Sequence, residues 1–444
     1  MIKGGTRIMQ ATPELALHRF GLGARPGERA RLGDPAGWLA GQIARQRDPD
    51  GYDALPRAAD IIRAAPDRGE LRGDAMARRD FAAEIRDGAR KAVAVRMRAA
   101  FVSDTPFHER LVWFWSNHFS INAGSKLRVA PFAFDYERSA IRPHVTGRFA
   151  DMLLASARHP AMLLFLDNAT SAGPNSRAGR RREQGLNENY AREVMELHTL
   201  GAGSGYTQAD IVELAKILTG WTVRPKEYLD GDDAFVFAPN RHEPGAKTVL
   251  GRTYDEGEQA GIDALTALAR HPATAKRLAR KLAGFVDFAD AASAEAPPST
   301  ASFDLRGMIA DTVADFSGRA HAANVMIAWS VDEGAATMRG HPGSMRKILR
   351  RLVDNAIRYN QDGGLVEIAA RVAPEGGLQI EVADTGCGMN EAQVRTALDP
   401  FGAEAAGATR FGFGLALVDR LAALHGGRLR LDSRPRSGTR AILD

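Results

Sequence analysis

Near residue 290 the spacing of apolar residues changes, so the chain cannot be one uniform fold. Up to about residue 285 the apolar residues recur at helical intervals. They predict helices at 77–101, 106–118, 148–157, 186–200, 207–219 and 258–285, joined by loops rich in Gly, Pro and Arg. The polar stretch "DNATSAGPNSRAGRRREQG" (167–185) reads as a long exposed loop, and "NRHEPGAKTVLGRTYDEG" (240–257) as a turn-rich excursion with a short hairpin. "ADAASAEAPPSTAS" (289–302) has the small residues and proline pair of an interdomain linker. Beyond it the pattern mixes periods. A helix at 304–320 precedes the alternating run "VMIAWSV" (325–331). An amphipathic helix follows, in which Met345, Ile348, Leu349, Leu352, Val353, Ala356 and Ile357 form one stripe. Strand-like runs at 365–372 and 378–384 flank the turn "APEGG", and a helix at 413–427 ends in a Gly pair. Runs at 428–434 and 439–444 close a hairpin around "PRSG". Helices mixed with antiparallel-looking strands imply an α+β sandwich after a mainly α-helical region, and 444 residues suffice for two or three cores.

The composition, 44% hydrophobic and 25% charged, is that of an ordinary soluble globular protein. A single cysteine, Cys387, rules out an internal disulfide framework and fits a reducing compartment. No apolar run reaches the ~18 residues of a membrane span, and the first residues have no apolar signal core. A cytoplasmic location is the expectation. The net charge of +5 would suit nucleic acid. In "RRDFAAEIRDGARKAVAVRMR", however, the basic residues alternate with acidic ones, as i,i+4 pairs on a solvated helix do, so no nucleic-acid partner is expected.

Chemistry concentrates after the linker. "RRLVDNAIRYN" (350–360) sets Asn355 at the edge of the apolar stripe, a position that taken alone reads as an exposed helical amide. "DTGCGM" (384–389) follows a strand. Asp384 can point into a pocket there, while Gly386 and Gly388 let backbone approach a ligand; the bland alternative is an Asp-Gly turn. In "RFGFGLALV" (410–418), Gly412 and Gly414 open a helix whose first N–H groups are free to meet phosphate. "SGTRAIL" (437–443) brings Gly438 and Thr439.

In this order and spacing, residues 303–444 resemble the ATP-binding catalytic domain of sensor histidine kinases. That domain is an α/β sandwich of the Bergerat type, shared with gyrase, the Hsp90 chaperones and the mismatch-repair ATPases. The resemblance implies ATP and Mg²⁺ as ligands and a response regulator or phosphoacceptor protein as partner. It implies that Asn355 holds the Mg²⁺, that Asp384 accepts a hydrogen bond from the adenine amino group, and that Gly386 and Gly388 make room for the base. Gly412 and Gly414 match the second glycine box beside the lid, which begins at Pro400-Phe401. Thr439 matches the threonine behind adenine, and Arg358 and Tyr359 match positions near phosphate and base. Three departures stand out. Arg351 replaces the asparagine usual four residues before the metal ligand, on the helical turn where the hydrolytic relatives carry a glutamate base; an arginine cannot activate water. Arg410 replaces a glycine of the second box. No phosphoacceptor hairpin precedes residue 303, and His321 and His341 match no acceptor motif.

Residues 12–285 resemble the bacterial family called domain of unknown function 1800, through "TPELALHRFGLGARPGE", "LVWFWSNHFSIN", "GLNENYAREVMELHTLG" and "GYTQADIVELAKILTGW". That resemblance implies no reaction. It suggests a copy truncated near residue 285, with residues 1–8 an extension before Met9. Asn187, Glu188, Glu193, Glu196 and His198 cluster on one helix, with Trp115, Asn117, His118 and Asn122 upstream. Five residues separate Glu193 from His198, whereas Glu188, Arg192 and Glu196 have ion-pair spacing, so a structural polar network is favoured over a metal site. His18, Arg19 and His159 read as packing or capping residues. The expected organisation is a helical domain at 12–285, a linker at 286–302 and an ATP-binding domain at 303–444. Three readings remain open: a histidine kinase, a nucleotide-binding switch without catalysis, and a fusion of two truncated domains with no joint activity.

Overall fold

The computed structural model describes residues 12–44, 49–66, 74–124, 126–182, 185–293, 300–373, 376–398 and 414–444. The chain divides into two compact units between Ala279 and Arg280.

The first unit is mainly helical. Its longest helix, Ala75–Val102, starts where the Asp74 side chain accepts from the N–H groups of Met76 and Ala77, and Pro106 opens Pro106–His118. Thr207 and Asp210 cap Gln208–Leu218 reciprocally. The single helix expected over 258–285 is two, Glu258–Ala269 and Pro272–Ser293. Pro272 has no N–H to donate and starts a helix better than it continues one. The second of these runs through Ser293, so the first half of the expected linker is helical. The small residues there include several alanines, the strongest helix formers. Residues 294–299 lie outside the described residues. The expected 167–185 loop contains a short helix, Arg177–Arg182. The hairpin within 240–257 is present: Lys247–Val249 pairs antiparallel with Arg252–Tyr254. Leu250 and Gly251 turn it with φ of 48° and 74°, both left-handed as a two-residue hairpin requires.

A buried ionic network ties this unit together. Arg142, 2% exposed, donates to both oxygens of Glu109, 1% exposed, and to the Tyr52 hydroxyl. Tyr52 donates in turn to Glu137 at 3.2 Å. Burial, with Glu137 beside it, pushes the Tyr52 hydroxyl well above its usual range. Asp135 accepts from the guanidinium of Arg138 and the Ala58 N–H, and lies 3.3 Å from His159 Nε2.

The second unit contains β1 (Ala301–Asp304), α1 (Leu305–Ala322), β2 (Met326–Val331), β3 (Thr337–Gly340), α2 (Pro342–Arg358), β4 (Leu365–Val372) and β5 (Leu378–Asp384). These are followed by α3 (Glu391–Ala397), α4 (Gly414–Leu424), β6 (Leu429–Ser433) and β7 (Thr439–Leu443). A five-stranded sheet runs in the order β6-β7-β5-β4-β2, and β1 pairs separately with β3. All ladders are antiparallel except β2–β4, whose parallel pairing uses β3 and α2 as its crossover. Leu305 and Ile309 of α1, Ile348, Leu352 and Val353 of α2, and Leu417 and Val418 of α4 share one buried core with Val366, Ile368, Ile380 and Val382 of the sheet. On the alternate positions of the strands Arg440 pairs with Glu381 at 2.7 Å, so that face is polar. This is the α+β sandwich the apolar pattern implied, and its layers bring the end of α2 to the ends of β5 and β7.

Candidate functional site

Asp384 ends β5 with Val366 of β4 on one side and Thr439 of β7 on the other. Its Oδ1 accepts from the N–H of Gly386 at 2.9 Å and of Thr439 at 3.3 Å. Its second oxygen accepts no hydrogen bond from the described residues. Burial pushes this carboxyl above its ordinary value, and the two N–H donors offset part of the rise.

The loop after Asp384 is pressed between the end of α2 and the β6–β7 turn. Cys387 N–H donates to the carbonyl of Tyr359, the first residue past α2, and Arg436 N–H donates to the Cys387 carbonyl. A Cβ on Gly386 would lie 2.1 Å from the Tyr359 carbonyl oxygen, and one on Gly388, whose φ is +62°, would lie 1.9 Å from that of Arg434. Neither position tolerates a side chain. Three residues that sequence reasoning did not single out hold this frame. Asn360 donates to the Leu365 carbonyl and accepts from the Thr385 hydroxyl, which itself accepts from Leu365 N–H. Ser433 Oγ accepts from Met389 N–H at 2.8 Å and lies 2.9 Å from the hydroxyl of Thr439. The one available signal was that each is a small polar residue at the end of an element, where side chains commonly satisfy loose backbone groups.

On α2, Asn355 is half-buried, and its side chain makes no hydrogen bond with the described residues. Its Nδ2 lies 3.7 Å from where a Cβ would sit on Gly414, the first residue of α4. Two residues singled out from the sequence, 59 positions apart in the chain, are therefore neighbours in space. An amide oxygen without a partner among the described residues, beside a helix start, suits a hard cation that keeps waters and phosphate oxygens as its other ligands. Arg358 is exposed, with its guanidinium 5.6 Å from the centre of the half-buried Tyr359 ring. Arg351, one turn before Asn355, lies 3.7 Å from Asp287, which Lys347 also reaches at 2.8 Å. Gly412, Arg410 and Pro400-Phe401 lie outside the described residues.

In the first unit, the stretch 186–200 is a short α-helix, Asn189–Glu193, running into a wide π-turn, Val194–His198. The wider turn alters the spacing argument, since residues five apart come closer to one face. Even so, among the described residues no three His, Cys, Asp or Glu side chains gather as metal ligands. His118 Nε2 meets the His198 carbonyl at 3.0 Å, while the rings of Trp115 and His118 pack edge to face. Arg192 pairs with Glu188 at 3.3 Å, burial and the neighbouring Glu196 push the Tyr206 hydroxyl up, and Asn187 Oδ1 accepts from Asn189 N–H. Burial and the neighbouring Glu196 push the Glu193 carboxyl up. Asn117 is buried on Pro106–His118, and the half-buried Asn122 accepts through Oδ1 from Gly124 N–H at 3.0 Å. His159 caps Pro160–Phe165 through Nδ1, the His18 carbonyl accepts from Arg110, and Arg19 lies 5.7 Å from the Phe20 ring.

No described helix is long and apolar enough to cross a membrane. Residues 340–444 match the family described as histidine kinase-, DNA gyrase B- and HSP90-like ATPase. Virulence sensor protein BvgS of Bordetella bronchiseptica is 34% identical over 158 residues, which are 34% of this chain and 12% of that protein. Sensor protein TorS of Escherichia coli is 29% identical over 31% of this chain and 15% of its own. Adaptive-response sensory kinase SasA of Synechococcus is 35% identical over 21% of this chain and 25% of its own. The chain thus spans a quarter or less of the length of these relatives. The crystal structure of full-length ShkA in complex with AMPPNP matches with 25% identity over 43% of this chain and 39% of that one, at a TM-score of 0.34. The second unit is an α/β sheet domain that, over residues 340–444, resembles the histidine-kinase ATPase domains. Residues 15–300, well over half the chain, match the model of the protein family of unknown function DUF1800, and the chain belongs to that family.

Proposed function

We propose that the second unit binds ATP with Mg²⁺ and that the γ-phosphoryl group passes to a histidine on a partner protein. The observation that carries this reading is Asp384, with one oxygen fixed by two backbone N–H groups, the other open, and a loop beside it that excludes side chains. The open oxygen accepts the adenine amino hydrogen, a test that guanine fails. Gly386, Gly388 and the Thr439 backbone shape the slot around the base. Asn355 supplies the protein oxygen for Mg²⁺, and the first N–H groups of α4, from Gly414, face phosphate. Bound Mg²⁺ supplies charge neutralisation on the phosphates.

In the transfer, an imidazole nitrogen of the partner's histidine attacks the γ-phosphorus. The bond from that phosphorus to the β–γ bridging oxygen breaks, and ADP leaves. The residues here contribute position and field rather than covalent chemistry. Of the second unit's three histidines, His341 and His425 are engaged and the exposed His321 matches no acceptor motif, which favours an acceptor supplied in trans. His341 caps α2 by accepting from Ser344 N–H, and His425 bonds the Leu421 carbonyl and the His341 N–H. The same engagement favours a second reading, in which nucleotide binding switches contacts without transfer. Incubation with γ-labelled ATP and Mg²⁺, with and without candidate response regulators and acceptor domains, separates the two. Acid-labile label on an acceptor supports transfer. Binding without label supports the switch, and no binding of ATP overturns both.

A further inference from the structure

Lys347, Arg351 and Asn355 recur at four-residue intervals, so they lie along one stripe of α2. The part of helix Pro272–Ser293 that belongs to the second unit places Asp287 against that stripe. The carboxylate hydrogen-bonds Lys347 at 2.8 Å through Oδ1, while Oδ2 stands 3.7 Å from Arg351 Nη2. The two cations are therefore held unequally: Lys347 by a hydrogen bond, Arg351 by a loose ion pair alone. Gly284, on the same helical stretch, leaves the room this guanidinium occupies, since a Cβ there would lie 3.2 Å from Nη2. Arg351 is half-buried and makes no hydrogen bond with the described residues, so its fork of N–H donors is unspent. Four residues of helix rise about 6 Å, a distance an arginine side chain covers.

We propose that Arg351 is a phosphate ligand of the nucleotide site, held in reserve by Asp287 and surrendered by it when a polyphosphate arrives beside Asn355. The inference rests on the ATP-binding reading above and adds to it a competition between Asp287 and the nucleotide for one guanidinium. A triphosphate carries several charges and accepts two parallel N–H bonds from an arginine; the single carboxylate here accepts none. Asp287 keeps Lys347 in either state. Nucleotide binding therefore removes one of the two ionic ties between α2 and the helical stretch carrying Asp287. The arginine that cannot serve as a hydrolytic base acquires a function through the same charge.

The test is a cycle of calorimetric titrations on the full chain with Mg²⁺-ATP and, separately, with adenosine, which has no phosphates. The proteins are the natural chain, Asp287→Asn, Arg351→Met and the double variant, each checked for its circular dichroism; Arg351→Gln replaces Arg351→Met should the latter not fold. Asp287→Asn is expected to tighten ATP binding by about three- to five-fold, the scale of a half-exposed ion pair, and to leave adenosine unchanged. Arg351→Met is expected to weaken ATP and to abolish the gain from Asp287→Asn. An ATP affinity indifferent to Asp287, or a gain that persists without Arg351, overturns the competition while leaving the ATP site standing. Failure of every protein to bind ATP and adenosine overturns the ATP-binding reading itself.

Discussion

One oxygen of Asp384 is occupied by two backbone donors and the other takes no hydrogen bond from the described residues, and on the ATP-binding reading this asymmetry sets what the residue discriminates. Asp384→Asn keeps the shape but can present an N–H₂ group to the adenine amino group. ATP affinity is expected to fall by roughly ten- to a hundred-fold, the scale of a hydrogen bond to a charged group, with little change in unfolding midpoint; fluorescence titration of a labelled nucleotide reads it. The pH dependence has a definite sign. Protonation turns the acceptor into a donor, so binding is lost as pH falls through the carboxyl's pKa. Burial raises that pKa above 3.8, so the loss begins at a higher pH than an ordinary aspartate would give. An affinity that holds steady until below the ordinary aspartate value would count against the assignment. Asp384, its glycines and Asn355 were legible in the sequence because their spacing is itself a pattern. Asn360, Thr385 and Ser433 were not, because small polar residues at element ends are common and their partners here lie up to 44 positions away.

Among the elements, α2 was the most legible and Val194–His198 the least. The stripe from Met345 to Ile357 allows one helix orientation, and the structure buries every one of its residues. Leu352→Ala is expected to cost about 2–5 kcal/mol of stability through the cavity it leaves. It should weaken nucleotide binding only as far as it unfolds the unit; urea unfolding with and without ATP distinguishes the effects. The helix widens near residue 194 with one side-chain hydrogen bond made inside the turn and one ring contact made from far along the chain. The Thr199 hydroxyl donates to the Val194 carbonyl, and the His198 ring packs 5.2 Å from that of Phe119, a residue far away in the chain. Hydrophobic periodicity reports neither contact. The helical start of the expected linker is a different failure: Ala and Ser serve linkers and helices alike, and composition could not choose between them.

At the scale of the whole molecule, two units with separate cores allow their stabilities to be addressed one at a time. Glu109→Gln leaves Arg142 buried with a diminished partner and is expected to destabilise the first unit by about 3–5 kcal/mol. ATP at a hundred times its dissociation constant should stabilise the second unit by about 2.7 kcal/mol. Differential scanning calorimetry of the full chain then has a simple expectation: Glu109→Gln lowers one transition, and ATP raises the other. A single transition that responds to both perturbations would show instead that the units melt as one. The division into a helical region and a mixed one was legible from the change of apolar period near residue 290. The buried network of Glu109, Arg142, Glu137 and Tyr52 was not, since its charged residues look in sequence like those of any solvated helix.

The parallel ladder between β2 and β4 carries a consequence for how the second unit assembles. Antiparallel neighbours such as β4 and β5 can zip from a short turn, but β2 reaches β4 only after the chain has passed through β3 and the whole of α2. The edge strand therefore waits on the helix that carries Asn355. Closing that loop costs entropy, as does the longer one by which β7 reaches β5 across α3, α4 and β6, and the apolar stripe of α2 lies within the first of these loops. The helix that carries Asn355 is thus also part of the connection on which the only parallel pairing among the described strands depends.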